Sequence, residues 1–187
     1  MRDVYNNFIY AELLESNPLD DVVFYGSFSG WHDTETLKFA KIILSNTMPA
    51  CYHANDIVLV HPSKIIFYET ENRVLFRNDA IVCGYDWTNK KMATFNYDVM
   101  VKIDETSTDD IGLTWLNASI NEAEVFYGTV ADIYENDQSG VIAGDKVIVA
   151  QTNPKIDVAS VPFEFKKLSD KNGKYVVTDT RNIIARL

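Results

Sequence analysis

The feature that most constrains this chain is a passage of residue types that occurs twice, in the same order, about ninety residues apart. The first copy runs Phe8-Ile9-Tyr10-Ala11-Glu12-Leu13-Leu14-Glu15, then Asp20-Asp21-Val22-Val23-Phe24-Tyr25, Ala54-Asn55-Asp56-Ile57-Val58-Leu59-Val60 and Arg77-Asn78-Asp79-Ala80-Ile81-Val82. The second runs Val99-Met100-Val101-Lys102-Ile103-Asp104-Glu105, then Asp109-Asp110-Ile111-Gly112-Leu113-Thr114, Ala143-Gly144-Asp145-Lys146-Val147-Ile148-Val149 and Thr180-Arg181-Asn182-Ile183-Ile184-Ala185. That period is too long for a solenoid repeat of ~20–50 residues and fits a tandem duplication of a whole small domain. A chain of 187 residues admits one domain or two, and the duplication favours two, expected at 1–88 and 89–187. Domains of this size bury too little surface to be more than marginally stable, so each is expected to lean on its neighbour or on an oligomer.

Apolar residues cluster in short runs rich in Val, Ile, Phe and Tyr, bounded by Asn, Asp, Gly, Ser and Pro, the signature of strands and turns. Strands are predicted at 7–14, 38–44, 57–60, 64–68, 74–76 and 80–84 in the first half, and at 98–104, 125–134, 146–150, 163–168, 175–178 and 182–186 in the second. The fold class is therefore all-β. Long polar segments, 16–37 and 106–124, follow the first strand of each half, and each carries one apolar island just after an Asp-Asp pair. Loops of that length in a small domain are commonly functional; the island reads either as a strand edge on its own barrel or as a docking tag for a partner. The link at 85–94 is short and poor in Gly, Ser and Pro, which keeps the halves adjacent.

A hydrophobic share of 47% with 12% aromatics belongs to a folded protein. No apolar run is long enough for a membrane-spanning helix, and the first residues lack a signal-peptide core, so no membrane partner and a cytoplasmic location are expected. The net charge of -10 argues against nucleic acid, whose binding depends on clustered Lys and Arg. Cys51 and Cys83 have no counterparts in the second half and form no repeated framework, which suits a reducing compartment.

With these blocks in order, each half resembles the GroES-type co-chaperonin family. Its pattern is a V-x-V strand, a long loop with an apolar tripeptide, a G-x-V strand, a G-D-x-V strand and a D-I-L-A-like close. The second half carries it as Val99-Met100-Val101, Ile111-Gly112-Leu113, Gly128-Thr129-Val130, Gly144-Asp145-Lys146-Val147-Ile148-Val149 and Asn182-Ile183-Ile184-Ala185. The first half is looser, with Val22-Val23-Phe24, Asn55-Asp56-Ile57-Val58 and Asp79-Ala80-Ile81-Val82. Asn55 stands in the Gly place, and Asn is among the residues that best tolerate a left-handed turn.

The resemblance implies two tandem GroES-like small β-barrels, as in the chloroplast type, and a co-chaperonin that caps a chaperonin ring. Its partner-binding residues would be Val22, Val23, Phe24, Ile111, Gly112 and Leu113. It further implies self-association into a ring, with 80–84 pairing onto 96–103 inside the chain and 7–14 and 182–186 left to pair between chains. The low Gly count and the Asn- and Tyr-rich sequence look more like a viral version than an organellar one. Asp20-Asp21 and Asp109-Asp110 stand where the family has flexible Gly, Gly112 removes a tripeptide side chain, and little chain remains for the roof hairpin. These departures support an alternative in which the barrel is reused as a structural ring or connector protein of a virus particle, its loops fixed against neighbouring subunits.

No enzymatic role and no cofactor are expected. Cys51, His53 and His61 lack the paired spacing of a zinc site. A Cys-His nucleophilic pair is not expected either, because no orienting partner or oxyanion-hole motif accompanies Cys51 or Cys83. Adjacent acids such as Asp20 and Asp21 point to opposite faces of an extended chain and converge poorly on one substrate.

Overall fold

The computed structural model of the protein describes residues 3–15, 24–25, 35–46, 52–95, 98–104, 125–134, 139–150 and 165–187. Among these residues there is no α-helix. The strands are β1 (Phe8–Leu13), β2 (Phe24–Tyr25), β3 (Glu35–Thr36), β4 (Lys38–Ser45), β5 (Ile57–Val60), β6 (Ile65–Tyr68), β7 (Arg73–Arg77), β8 (Ile81–Asp86), β9 (Lys91–Ala93), β10 (Asp98–Ile103), β11 (Val125–Ile133), β12 (Lys146–Ala150), β13 (Lys166–Asp170), β14 (Gly173–Asp179) and β15 (Ile183–Arg186). They form two antiparallel sheets, ordered β6-β7-β1-β4-β5-β8-β9 and β15-β12-β11-β10-β14-β13-β2-β3. Neither order returns to its starting strand among the described residues, so both sheets are open.

The duplication is written into this topology. The run β6-β7-β1-β4-β5-β8 in one sheet is matched by β13-β14-β10-β11-β12-β15 in the other, strand for strand in chain order. Ladder irregularities repeat as well: the register shifts between Tyr10 and Ala11 where β1 meets β4, and between Met100 and Val101 where β10 meets β11. A second pair lies at Leu59/Val60 and Ile148/Val149. A bulge re-aims a strand and raises its twist, so both units bend at the same places.

The turns before β5 and β12 match bond for bond. Asn55 has φ 75° and Gly144 φ 96°, and each donates its N–H to a strand carbonyl at 2.8 Å, Ile42 and Val130 respectively. The Asp56 carboxylate accepts from the His53 N–H at 2.8 Å, and Asp145 accepts from Ile142 at 2.9 Å. Asn55 thus occupies a left-handed turn position, where its short polar side chain costs least among the residues with a Cβ.

Alternation along the strands gives each sheet two buried faces. Ile9, Ala11, Ile42, Val58, Val60 and Val74 form the first unit's own core, and at the equivalent positions Val99, Val101, Val130, Val147, Val149 and Val176 form the second's. Residues of opposite parity, among them Phe39, Leu59, Val82, Met100 and Val177, join one cluster that contains both halves. This explains uninterrupted apolar runs such as Ile57–Val60: strands buried on both faces lose the polar half of the alternation.

Three expectations are corrected. The 80–84 segment does not pair with 96–103: β8 lies between β5 and β9, and β10 lies between β11 and β14. The two regions meet through side chains instead, as Val82 and Cys83 share a cluster with Met100. Strand β1 is not left free for another chain, because β4 and β7 occupy its two edges; β15 does end its sheet. Finally, the expected link at 85–94 is mostly a hairpin. Its β9 pairs back on β8, with the Asp86 carboxylate accepting from the backbone N–H groups of Thr88 at 2.9 Å and Asn89 at 3.0 Å to hold the turn.

Candidate interaction surfaces

The first partner-binding tripeptide predicted from sequence falls partly within the described residues. Phe24 begins β2, and its backbone pairs with Ser169 on one side and Thr36 on the other, while Tyr25 pairs with Leu168 and Glu35. At Phe24, therefore, the island of the first half joins the sheet of the second half as a strand residue. Val22, Val23, Ile111, Gly112 and Leu113 lie outside the described residues.

Strand β3 ties this addition back to the first unit. The Glu35 carboxylate accepts from the Ser63 N–H at 2.7 Å and pairs with the ring of His61. His61 also faces the Ser63 hydroxyl at 2.9 Å. Residues 35–36 thus bridge the sheet they extend and the loop ahead of β6.

The seam beneath is apolar with polar fastenings. Leu168 is fully buried in the shared cluster, with Tyr85, Met92 and Tyr175 also present. The Asp132 carboxylate on β11 accepts three hydrogen bonds from the end of the first sheet: from the Thr94 N–H at 2.8 Å, the Thr94 hydroxyl at 2.9 Å and Lys91 Nζ at 3.0 Å. Lys166 Nζ donates to the Ile81 carbonyl at 2.7 Å. A charged group that donates across a partly dry seam resists separation more than an exposed ion pair does.

Two titratable groups feel this burial. Burial pushes the Asp98 carboxyl up to about 7, opposed by the positive charge of Lys166 and assisted by the negative charge of Asp179. Burial likewise pushes the Cys83 thiol up to about 12. A thiol held neutral in an apolar cluster is a poor nucleophile and a poor metal ligand. Among the described residues no group of three His, Cys, Asp or Glu side chains could hold a metal ion, and no helix is long and apolar enough to cross a membrane. Cys51 and His32 lie outside the described residues.

One surface was missed by sequence reasoning. On β6, the outermost strand of its sheet, Ile66, Phe67 and Tyr68 are 57%, 51% and 47% exposed. The run Ile65-Ile66-Phe67-Tyr68 carries the composition of a buried strand, so nothing in its pattern announced an exposed edge. No protein-family model and no curated protein matches the chain.

Proposed function

We propose that the chain is a structural assembly protein, a pair of GroES-like small barrels reused as a ring or connector component of the kind a virus particle is built from. The observation that carries this reading is the strand addition of β2 to β13. Phe24 and Tyr25, part of a segment that the family resemblance would hold out for a chaperonin, pair here with Ser169 and Leu168 of the second half. Main-chain pairing of this kind gives affinity without demanding a particular side-chain sequence. A protein working this way needs no catalytic group, and its units, marginal alone, gain stability by joining others.

A co-chaperonin role is the second reading, favoured by one observation. Both long segments leave their units at the same topological point, after β1 and after β10, as a pair of tags for one ring-shaped partner would. In that reading Val22, Val23, Phe24, Ile111, Gly112 and Leu113 dock weakly on a chaperonin, and many loops acting together supply the avidity. Pull-down with chaperonin, with and without nucleotide, separates the two. The assembly reading expects a closed oligomer and no nucleotide-dependent complex; a complex that forms and releases with nucleotide would replace it with the co-chaperonin.

A further inference from the structure

Equivalent edges of the two units are treated differently. In the second unit the outer edge of β13 is covered by β2 and β3, whereas in the first unit the outer edge of β6 is covered by nothing among the described residues. The uncovered edge is also the more apolar one: Ile66, Phe67 and Tyr68 stand exposed there, while β13 begins with Lys166 and Lys167. Exposed, uncharged edge strands invite pairing, and proteins ordinarily blunt them with charges or cover them.

The repeat states what covers such an edge. Register through β7 and β14 aligns Phe67 with Lys166 and Tyr68 with Lys167. The next residue, Glu69, donates its N–H to Arg73 at 2.8 Å and so stands where Leu168 stands. Tyr25 pairs with Leu168, and the sequence repeat aligns Phe24-Tyr25 with Leu113-Thr114. An antiparallel strand added with the same register would set Thr114 opposite Glu69, Trp115 opposite Tyr68 and Leu116 opposite Phe67. Trp115 and Leu116 would then bring large apolar side chains to the exposed Tyr68 and Phe67.

We propose that β6 is a docking edge for a second copy of this chain, which adds its 113–116 segment there as an extra strand. The contact would repeat between chains what β2 does on β13 within one chain. It rests on the assembly reading above. The twelve or so residues from Asp104 to Leu116 allow a span of up to about 40 Å for such a contact. Because the donor segment and the acceptor edge are different surfaces, the contact is heterologous and propagates head to tail into a ring or a filament. The first unit of each chain accepts and the second donates, so a tandem chain carries one unused copy of each at its ends.

The test compares native mass and sedimentation of the wild type with Phe67→Lys on the acceptor edge and Trp115→Asp on the donor segment, each checked for folding by circular dichroism. Phe67 is half-exposed, so its replacement removes no core side chain. The expected result is a closed oligomer or filament for the wild type and, for either variant, a rise in the dissociation constant of at least about tenfold. Mixing a Tyr68→Cys population with a Trp115→Cys population, both made in a Cys51→Ser background, should give a disulfide between chains, absent from either population alone. A wild type that stays monomeric overturns both this proposal and the assembly reading. An assembled wild type with equally assembled variants overturns the docking edge alone. A disulfide formed only within one chain of the doubly substituted protein overturns the second copy as occupant.

Discussion

Replacing Leu168 by alanine probes the seam most directly. The side chain is 0% exposed and belongs to the cluster that contains Leu59, Val82 and Phe39 of the first half. Losing three carbon atoms forfeits about 2.4 kcal/mol at ~0.8 kcal/mol for each buried methylene. The cavity left in a two-sided sheet stack cannot fully collapse, which brings the total to about 3–4 kcal/mol, inside the ~2–5 kcal/mol range of such truncations. For a cooperative chain of this size each kcal/mol lowers Tm by about 2–4 °C, so a fall of about 6–16 °C is expected. Differential scanning calorimetry of the wild type and the variant reads it directly. The decisive point is which transition moves. Because the lost contacts include residues of the first half, both halves should melt in one transition and that transition should shift as a whole. Two separate transitions of which only one moves, or a single one that moves by less than about 3 °C, would refute the seam as the element that couples the halves.

Other expectations follow from single positions. A Cβ at Gly128 would lie 2.1 Å from the Lys102 backbone oxygen and 2.8 Å from a Val101 methyl, so Gly128→Ala should cost about 1–3 kcal/mol in urea unfolding; an unchanged midpoint would mean that β10 and β11 are not so close. At Asn55, with φ 75°, substitution by glycine should be almost neutral and by valine should cost about 1–2 kcal/mol; equal effects would contradict the left-handed turn. Asp98, raised to about 7 in the fold, releases its proton near pH 4 in the unfolded chain, so its contribution makes the protein lose stability as pH rises from 4 to 7, by about 4 kcal/mol at most, with no further change above. Asp98→Asn should flatten that slope in melts across this pH range; an identical slope would show that the proton is not held there. Cys83, buried with its thiol at about 12, should react with a thiol reagent in a Cys51→Ser background only as fast as the protein unfolds, and rapid labelling of the folded protein would be the contrary result.

Much of the local structure was legible because the chain obeys simple local rules. Val- and Ile-rich runs at Ile57–Val60 and Lys146–Ala150 became strands where the turn residues before them placed their start. The Asn55-Asp56 and Gly144-Asp145 turns adopted the backbone their residue types favour. The repeat in residue types became a repeat in strand order, down to the bulges. What stayed hidden depends on partners distant in sequence. A two-residue strand such as β2 has no period of its own, and only the free edge of β13 defines it. Hairpin β8–β9 looked like a linker because its second strand, Lys91–Ala93, is too short to read as a strand beyond the Trp87-Thr88-Asn89-Lys90 turn. The role of Asp132 is set by where Lys91 and Thr94 arrive, and no residue near it in sequence foretells that. Pattern also misread β6, since apolar composition states what a strand prefers to touch and not whether anything is there.

Strand β2 sets a timetable for the ribosome. About 140 residues separate Tyr25 from its partner Leu168, and at a synthesis rate of ~5–20 residues per second the wait lasts about 7–30 s. During that interval the first unit can close its own sheet, whose strands all precede Thr94, but β2 and β3 have nowhere to go. Long-range pairings of this kind close late, after their entropy has been met by other contacts. The newborn chain therefore passes through a stage in which its adhesive segment is made and its own acceptor is not, and crowded polysomes are where neighbouring chains would find each other first.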